Sequence, residues 1–294
     1  MLIYPRTFAS NERMISFAQN GEDILIDRVF RKKTGFYIDA GAFHPVLDSV
    51  TKHFSILGWR GINIEPDSTM FAEFQRDRPG DINLSCAAGR TRGEVTFHQL
   101  ANKEMSTILP AQLDSLGSAD RATMRSIKVE MRTLADICAE FVTDEIDFLK
   151  IDVEGAEGDV IEGADWNRFR PRLLVIEATK PMTSEPNCET WEPRLLSHGY
   201  VLQCFDGINR YYLRREDEAL APQLSVPVNI LDLCVPFRET ELQHKLAAQR
   251  EELEEQRHKL AAQREELDRL RTAEAERANR SWLWRWFRNA GDRR

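Results

Sequence analysis

Between Phe36 and Phe205 the chain repeats one pattern, a short apolar run followed by a stretch with helical spacing of its apolar residues. The runs are 36–40 (FYIDA), 61–65 (GINIE), 82–88 (INLSCAA), 147–152 (DFLKID), 172–178 (RLLVIEA) and 200–205 (YVLQCF). Helical spacing occupies 22–32, 48–57, 68–77, 132–140 and 156–165. Strands separated by helices return parallel to one another, and the helices must then cover both faces of the sheet. The pattern therefore predicts an α/β domain on a mostly parallel sheet. A last run, 210–214 (RYYLR), follows 200–205 after a short DGIN turn and predicts a closing hairpin. The stretch 90–131 breaks the rhythm. There, 94–100 and 127–131 read as short strands flanking a polar loop, an expected insertion.

Composition changes after Pro236. From Arg238 to Ala290 there is no Gly and no Pro, and half of Arg238–Arg277 is Asp, Glu, Lys or Arg. The decapeptide HKLAAQREEL occurs at 244–253 and again at 258–267, a period of 14, or two heptads. Leu246, Leu253, Leu260 and Leu267 fall seven apart. The other core position is Gln249, Gln256, Gln263 and Leu270 in one register and Arg in the alternative one. This predicts a coiled coil with one apolar seam and homo-oligomers formed through it, or else a single solvated helix held by Glu–Arg pairs. The end, RSWLWRWFRNAGDRR, interleaves Trp282, Trp284, Trp286 and Phe287 with arginines, and its local charge is +4. Such a segment suits a lipid headgroup zone or packs on a partner. The expected divisions are 1–236, 237–279 and 280–294.

Overall the chain carries 40 basic and 48 acidic residues, a net charge of −8, which argues against a nucleic-acid binder. Five scattered cysteines without a C-x-x-C pair read as reduced thiols. MLIYPRTFASNERM shows no apolar secretory core, and no stretch approaches the roughly 18 apolar residues of a spanning helix. The expected location is the cytoplasm, with peripheral contact at the inner membrane face through 280–294.

Ligands of open α/β sheets bind beyond the carboxyl ends of the strands. Asp39 and Gly41 stand there after the first run, Glu65 after the second, Cys86–Ala87–Ala88 after the third, Asp152 and Glu154 after the fourth and Glu177 after the fifth. A glycine lets a ligand approach the backbone, and an acid after the second strand accepts two ribose hydroxyls. The next glycine after Gly41 is Gly58, so the dinucleotide fingerprint is missing. This disfavours a nicotinamide oxidoreductase and favours a nucleoside without phosphates, S-adenosylmethionine above all. Asp39 would face its amino-acid end.

The blocks SFAQNGEDILIDRVF, GFYIDAGAFHP, GWRGINIEPD, IDFLKIDVEGAEGDVIEGADW, RPRLLVIEA and GYVLQCFDGINRYYL resemble the FkbM-type methyltransferases from about Ser16 to Asp232. The resemblance implies a Rossmann-like class I methyltransferase fold, a seven-stranded sheet with one antiparallel strand. It also implies S-adenosylmethionine as donor and an oxygen acceptor, often a sugar hydroxyl. Carried over on that basis, Asp39, Gly41, Glu65, Pro66 and Ala87 form the cofactor side, and His44, Asp152 and Glu154 the reaction side. The family usually shows Ser-Asn-Thr where this chain has Asp48–Ser49–Val50–Thr51.

Methyl transfer needs alignment and removal of the acceptor proton. Asp152 or Glu154 would be the base, or both would help hold a divalent cation such as Mg²⁺. Glu157 would join them or merely favour a helix start. His44 would overhang the pocket or be held by the Pro45 turn. Gln19, Glu22 and Asp23 would fold over the cofactor, or Glu22–Asp23 would simply start a helix, and Ser106–Thr107 would touch substrate. The leading expectation is a sugar O-methyltransferase of bacterial polysaccharide or glycoconjugate assembly. The alternative is an inactive scaffold acting through its coiled coil.

Overall fold

A computed structural model describes residues 14–100, 106–110, 118–180 and 183–291, without the side chains of 118–120, 244, 278–279 and 281–291. The chain divides into two units, 1–237 and 238–294.

In the first unit the elements run β1 (Met14–Ser16), α1 (Glu22–Phe30), β2 (Phe36–Ala40), α2 (Lys52–Ile56), β3 (Arg60–Ile64), α3 (Ser68–Asp77) and β4 (Ile82–Leu84). There follow β5 (Ala87–Ala88), β6 (Gly93–Gln99), α4 (Ser118–Thr123), β7 (Arg125–Arg132), α5 (Leu134–Phe141), β8 (Phe148–Ile151) and α6 (Glu157–Glu162). The unit closes with β9 (Leu173–Glu177), α7 (Glu192–Ser197), β10 (Tyr200–Phe205), β11 (Asn209–Arg214) and β12 (Cys234–Pro236).

Seven strands form one sheet in the order β10-β11-β9-β8-β2-β3-β4. Strand β11 runs antiparallel to both neighbours, and the remaining pairs are parallel. This is the mostly parallel α/β sheet that the alternating runs predict, with the seven strands and one antiparallel member of the class I methyltransferase fold that the resemblance implies. The strands have period 2, so each feeds two cores. Ile38, Leu149, Leu174 and Ile176 pack on one face with Leu134 and Ile137 of α5, Val160 and Ile161 of α6, and Leu195 of α7. Tyr37, Phe148, Leu173 and Val175 pack on the other with Leu25, Ile26 and Val29 of α1 and Phe54 of α2.

The expected strand 82–88 is two strands. Residues 82–84 pair with β3, but Ala87–Ala88 pair with Met131 and Arg132 of β7 in a separate sheet, β5-β7-β6. Hydropathy does not register a change of hydrogen-bonding partner, so the run reads as a single strand. The expected insertion strands pair with each other, Val95 facing Val129. The helix expected over 48–57 begins only at Lys52, because Asp48 has φ 53° and breaks the helical path. Strand β1 pairs with β12, and Phe17 stacks on Phe237 with ring centres 4.8 Å apart.

The second unit is helical: α8 (Phe237–Gly291) runs through it without a break. Glu241–Lys245 and Glu255–Lys259 make ion pairs one turn apart, the favourable orientation on a helix. Leu246, Leu253, Leu260 and Leu267 are 45–54% exposed. The side chains of Trp282, Trp284, Trp286 and Phe287, on which the membrane expectation rests, lie outside the described residues. Among the described residues no helix is long and apolar enough to cross a membrane, and all five cysteines are free thiols.

Candidate active site

A cavity of about 540 Å³ opens at the carboxyl ends of β3, β2, β8 and β9. Gly41, Glu65, Pro66, Ala87, Asp152, Glu154 and Glu177 line it, so most residues expected from strand ends meet there.

Glu65 follows β3 and is 6% exposed. Its Oε2 accepts from the Phe43 N–H at 2.8 Å and its Oε1 from the Asp67 N–H at 2.7 Å. These bonds fix the carboxyl while each oxygen keeps a lone pair for a ligand. Burial pushes its pKa up to about 8, against the pull of those N–H groups. Asp67, beside it, caps α3 by accepting from the N–H groups of Thr69 and Met70. Its other oxygen accepts from Gln99 of β6, tying the insertion to this wall.

Gly41 has φ 80°, and a Cβ there would meet the Asp152 carbonyl oxygen at 1.7 Å. No larger residue fits, because the ends of β2 and β8 nearly touch. That close approach leaves the backbone open to a ligand.

Asp39 is 1% exposed and lies beneath the cavity rather than in its lining. Its neighbour in register on β8 is Lys150, on the same face of the sheet. The Lys150 Nζ stands 3.4 Å from Asp39 Oδ1 and 3.4 Å from Asp152 Oδ2, and donates to the Gly41 carbonyl at 2.8 Å. Burial opposes its charge, but the Asp39 and Asp152 carboxylates outweigh burial and raise its pKa above the ordinary lysine value. Thr51 donates to Asp39 Oδ2, and Arg78, 2% exposed, donates to Thr51, Ser49 and the Pro45 carbonyl. The segment where the family usually shows Ser-Asn-Thr thus braces Asp39 through Ser49 and Thr51.

His44 is not in the lining. Its Nδ1 accepts from the N–H groups of Val46 and Leu47 at 3.0 and 2.9 Å, so it caps the Pro45 turn. Burial lowers its pKa, which suits an accepting ring nitrogen.

Asp152 lines the cavity with its side chain 36% exposed. Glu154 follows with φ 55°, and Gly155 with φ 95°. The left-handed conformation at Glu154 is unfavourable for an L-residue and persists because neighbours hold it. Thr107 donates to the Glu154 carbonyl at 3.0 Å. Glu157, fully buried, accepts from the N–H groups of Gly155 and Val153 at 2.9 and 3.1 Å. Glu157 therefore shapes the loop and does not line the cavity; burial pushes its pKa up to about 7. Glu177, at the end of β9, is raised well above the carboxylate range by burial and by the charges of Asp152, Glu157 and Glu154.

Of the segment expected to fold over the cofactor, Gln19 lines the cavity. Glu22 and Asp23 are buried and brace the fold, Glu22 accepting from Asn209 and Asp23 from Ser16 and the Phe17 N–H. Ser106 and Thr107 both reach the lining. Lys150 and Arg78 carry most of the polar bracing and are absent from the sequence expectations. A lysine inside the apolar run FLKID was the visible signal for the first; Arg78 offered none.

The residues fit a nucleoside donor: a buried carboxyl beyond β3 suits a ribose, and the glycine after β2 allows close approach. They do not fit a divalent cation. Among the described residues no group of three or more His, Cys, Asp or Glu is arranged to hold a metal, and the Lys150 ammonium already stands between Asp39 and Asp152.

The chain is 28% identical over 128 residues to methyltransferase sdnD of Sordaria araneosa, covering 36% of this chain and 49% of that protein. It thus spans about half the length of that curated relative. Among solved structures, a precorrin-6y C5,15-methyltransferase from Geobacter metallireducens GS-15 aligns at 12% identity and TM-score 0.34, over 65% of this chain and 87% of that one. A Methanococcus jannaschii fibrillarin pre-rRNA processing protein aligns at 13% identity and TM-score 0.35, over 63% and 68%. The methyltransferase FkbM domain matches residues 39–202, more than half of the chain, including the ends of β2, β3, β8 and β9 at the cavity, and the chain belongs to that family of methyltransferases.

Proposed function

We propose that the protein is an S-adenosylmethionine-dependent O-methyltransferase whose acceptor is a sugar hydroxyl of a bacterial polysaccharide or glycoconjugate. The observation that carries this reading is one cavity with Glu65 beyond β3 and Asp152 beyond β8, separated by the close backbone approach at Gly41. The donor, when bound, supplies a methyl carbon activated by a positively charged sulfur. Glu65 holds the ribose hydroxyls. Asp152, partly open to the cavity, accepts the acceptor's hydroxyl proton as the oxygen takes the methyl group and the carbon–sulfur bond breaks. Lys150 keeps the Asp152 carboxylate oriented. The strained loop at Glu154 sets the wall against which the acceptor lies.

In the same reading, α8 joins copies of the chain through its leucine seam, and 280–294 meets the inner membrane face where lipid-linked glycans are built.

Calorimetric titration with S-adenosylmethionine tests the donor site. Binding is expected in the intact protein and is expected to weaken about tenfold or more in Glu65→Ala. Asp152→Asn is expected to keep donor binding and lose at least about a hundredfold in methyl transfer to sugar acceptors. Unchanged turnover in that variant would remove Asp152 from the mechanism.

A further inference from the structure

We propose that Thr107, on the insertion, is a positioning residue for methyl transfer: its hydroxyl holds the Glu154–Gly155 peptide and thereby the wall against which the acceptor lies. This rests on the sugar-methylation reading and gives the insertion a part in it.

One peptide group of the β8–α6 loop is fastened at both ends. The Thr107 hydroxyl donates to the Glu154 carbonyl at 3.0 Å, and the Gly155 N–H donates to buried Glu157 at 2.9 Å. A peptide plane turns as a unit, so holding its oxygen from one side and its N–H from the other stops that rotation. The Val153 N–H, one peptide earlier, is also taken by Glu157, at 3.1 Å. Glu154 and Gly155 consequently stand in the left-handed region, at φ 55° and 95°. Glycine takes that conformation freely, whereas a glutamate reverts from it unless its surroundings hold it. Losing the Thr107 bond frees one end of the plane. The Glu154 backbone then relaxes and moves a side chain that lines the cavity, two residues beyond Asp152.

Thr107 is built for this hold. It is 2% exposed and lines the cavity. Its hydroxyl accepts from the Leu109 N–H at 3.0 Å while donating to Glu154, so the donated hydrogen has a fixed direction. Its own backbone exchanges two hydrogen bonds with His98 of β6, at 2.8 and 3.2 Å. Next to it, the Ser106 hydroxyl accepts from the Leu100 N–H at 3.2 Å. The segment carrying Thr107 is therefore anchored to the insertion sheet, which is separate from the seven-stranded one. Thr107 and Ile108 face the cavity from the insertion, and Asp152 and Glu154 from the main sheet. The Thr107–Glu154 bond sets the spacing of these two walls. A displacement of about 1 Å between reacting groups can cost about a hundredfold in rate.

Thr107→Val keeps the shape and removes the hydroxyl; Thr107→Ser keeps the hydroxyl. Both are made in the full chain and assayed with S-adenosylmethionine and methyl α-glucoside, methyl α-mannoside and methyl α-galactoside. Thr107→Val is expected to lower kcat at least about tenfold on the best of these sugars, and Thr107→Ser to stay within about threefold of the intact chain. S-adenosylhomocysteine affinity, measured by calorimetry, is expected to be unchanged in both, because the Glu65 hydrogen bonds do not involve Thr107. Amide exchange at Gly155 in the S-adenosylhomocysteine complex is expected to quicken in Thr107→Val alone. Unchanged kcat or unchanged Gly155 exchange in Thr107→Val would overturn the inference. So would a Thr107→Ser variant as slow as Thr107→Val, since the hydroxyl would then not be the operative group. Weakened S-adenosylhomocysteine binding in step with kcat would make Thr107 a general support of the fold and overturn it too. If the intact chain binds no S-adenosylhomocysteine or methylates none of the sugars, the proposed function fails and the inference falls with it. If the intact chain turns over and Thr107→Val matches it, only the inference fails.

Discussion

Lys150 shows how much of this site depends on charges braced against one another. It neutralises Asp39, which is 1% exposed, and steadies Asp152 from the same position. Removing one partner of a buried ion pair leaves the other uncompensated, at roughly 3–5 kcal/mol. Lys150→Met is therefore expected to lower stability by about that amount in denaturant titrations, and adding Asp39→Asn to recover much of the loss. Glu157 makes a second residue-scale prediction. Burial raises its pKa from 4.5 to about 7, so the folded state holds its proton where the unfolded state has released it. Its contribution is fully present below pH 4.5 and is lost as pH rises through 7. Glu157→Gln removes that titration. Stability of the intact protein relative to the variant is expected to fall by up to about 3 kcal/mol between acid and neutral pH, measured by denaturant midpoints at each pH. Buried Glu22 and Glu65 titrate in the same direction in both proteins and cancel, so the difference reports Glu157 together with its coupling to Glu177.

At the scale of elements, strand ends did most of the positioning. Period-2 apolar strands put Asp39 and Lys150 on one face, and the parallel register made them neighbours. Helix α8 follows a different logic. Its leucines at 246, 253, 260 and 267 recur every seven residues and are about half exposed in the single chain. Burying such a seam against a second copy removes apolar surface from water along the whole helix. Leu253→Glu with Leu260→Glu is expected to convert an oligomer to a monomer by sedimentation equilibrium, with the donor-binding unit unaffected. A monomeric intact chain would refute pairing through this seam.

On the scale of the whole molecule, both apolar cores, among the described residues, draw on residues between Ala18 and Val228, inside the first unit. A chain ending at Phe237 is therefore expected to melt within about 3 °C of the full chain and to keep its affinity for S-adenosylmethionine. A large drop in either would mean that the second unit supports the first. The sequence by itself determined the alternation of strands and helices, the parallel sheet, the closing hairpin and the long helix, because apolar periodicity is a local property. It also placed Gly41, Glu65, Asp152 and Glu154 at strand ends, since a polar residue that stops an apolar run marks where the strand leaves the sheet. Only the tertiary structure decided that 82–88 serves two sheets and that His44 caps a turn. The same holds for Asp39, which lies under the cavity on Lys150 and Thr51, and for Arg78, which braces the loop above it. Those outcomes depend on which backbone groups and buried charges meet across strands far apart in the chain, and no periodicity in a single segment encodes that meeting.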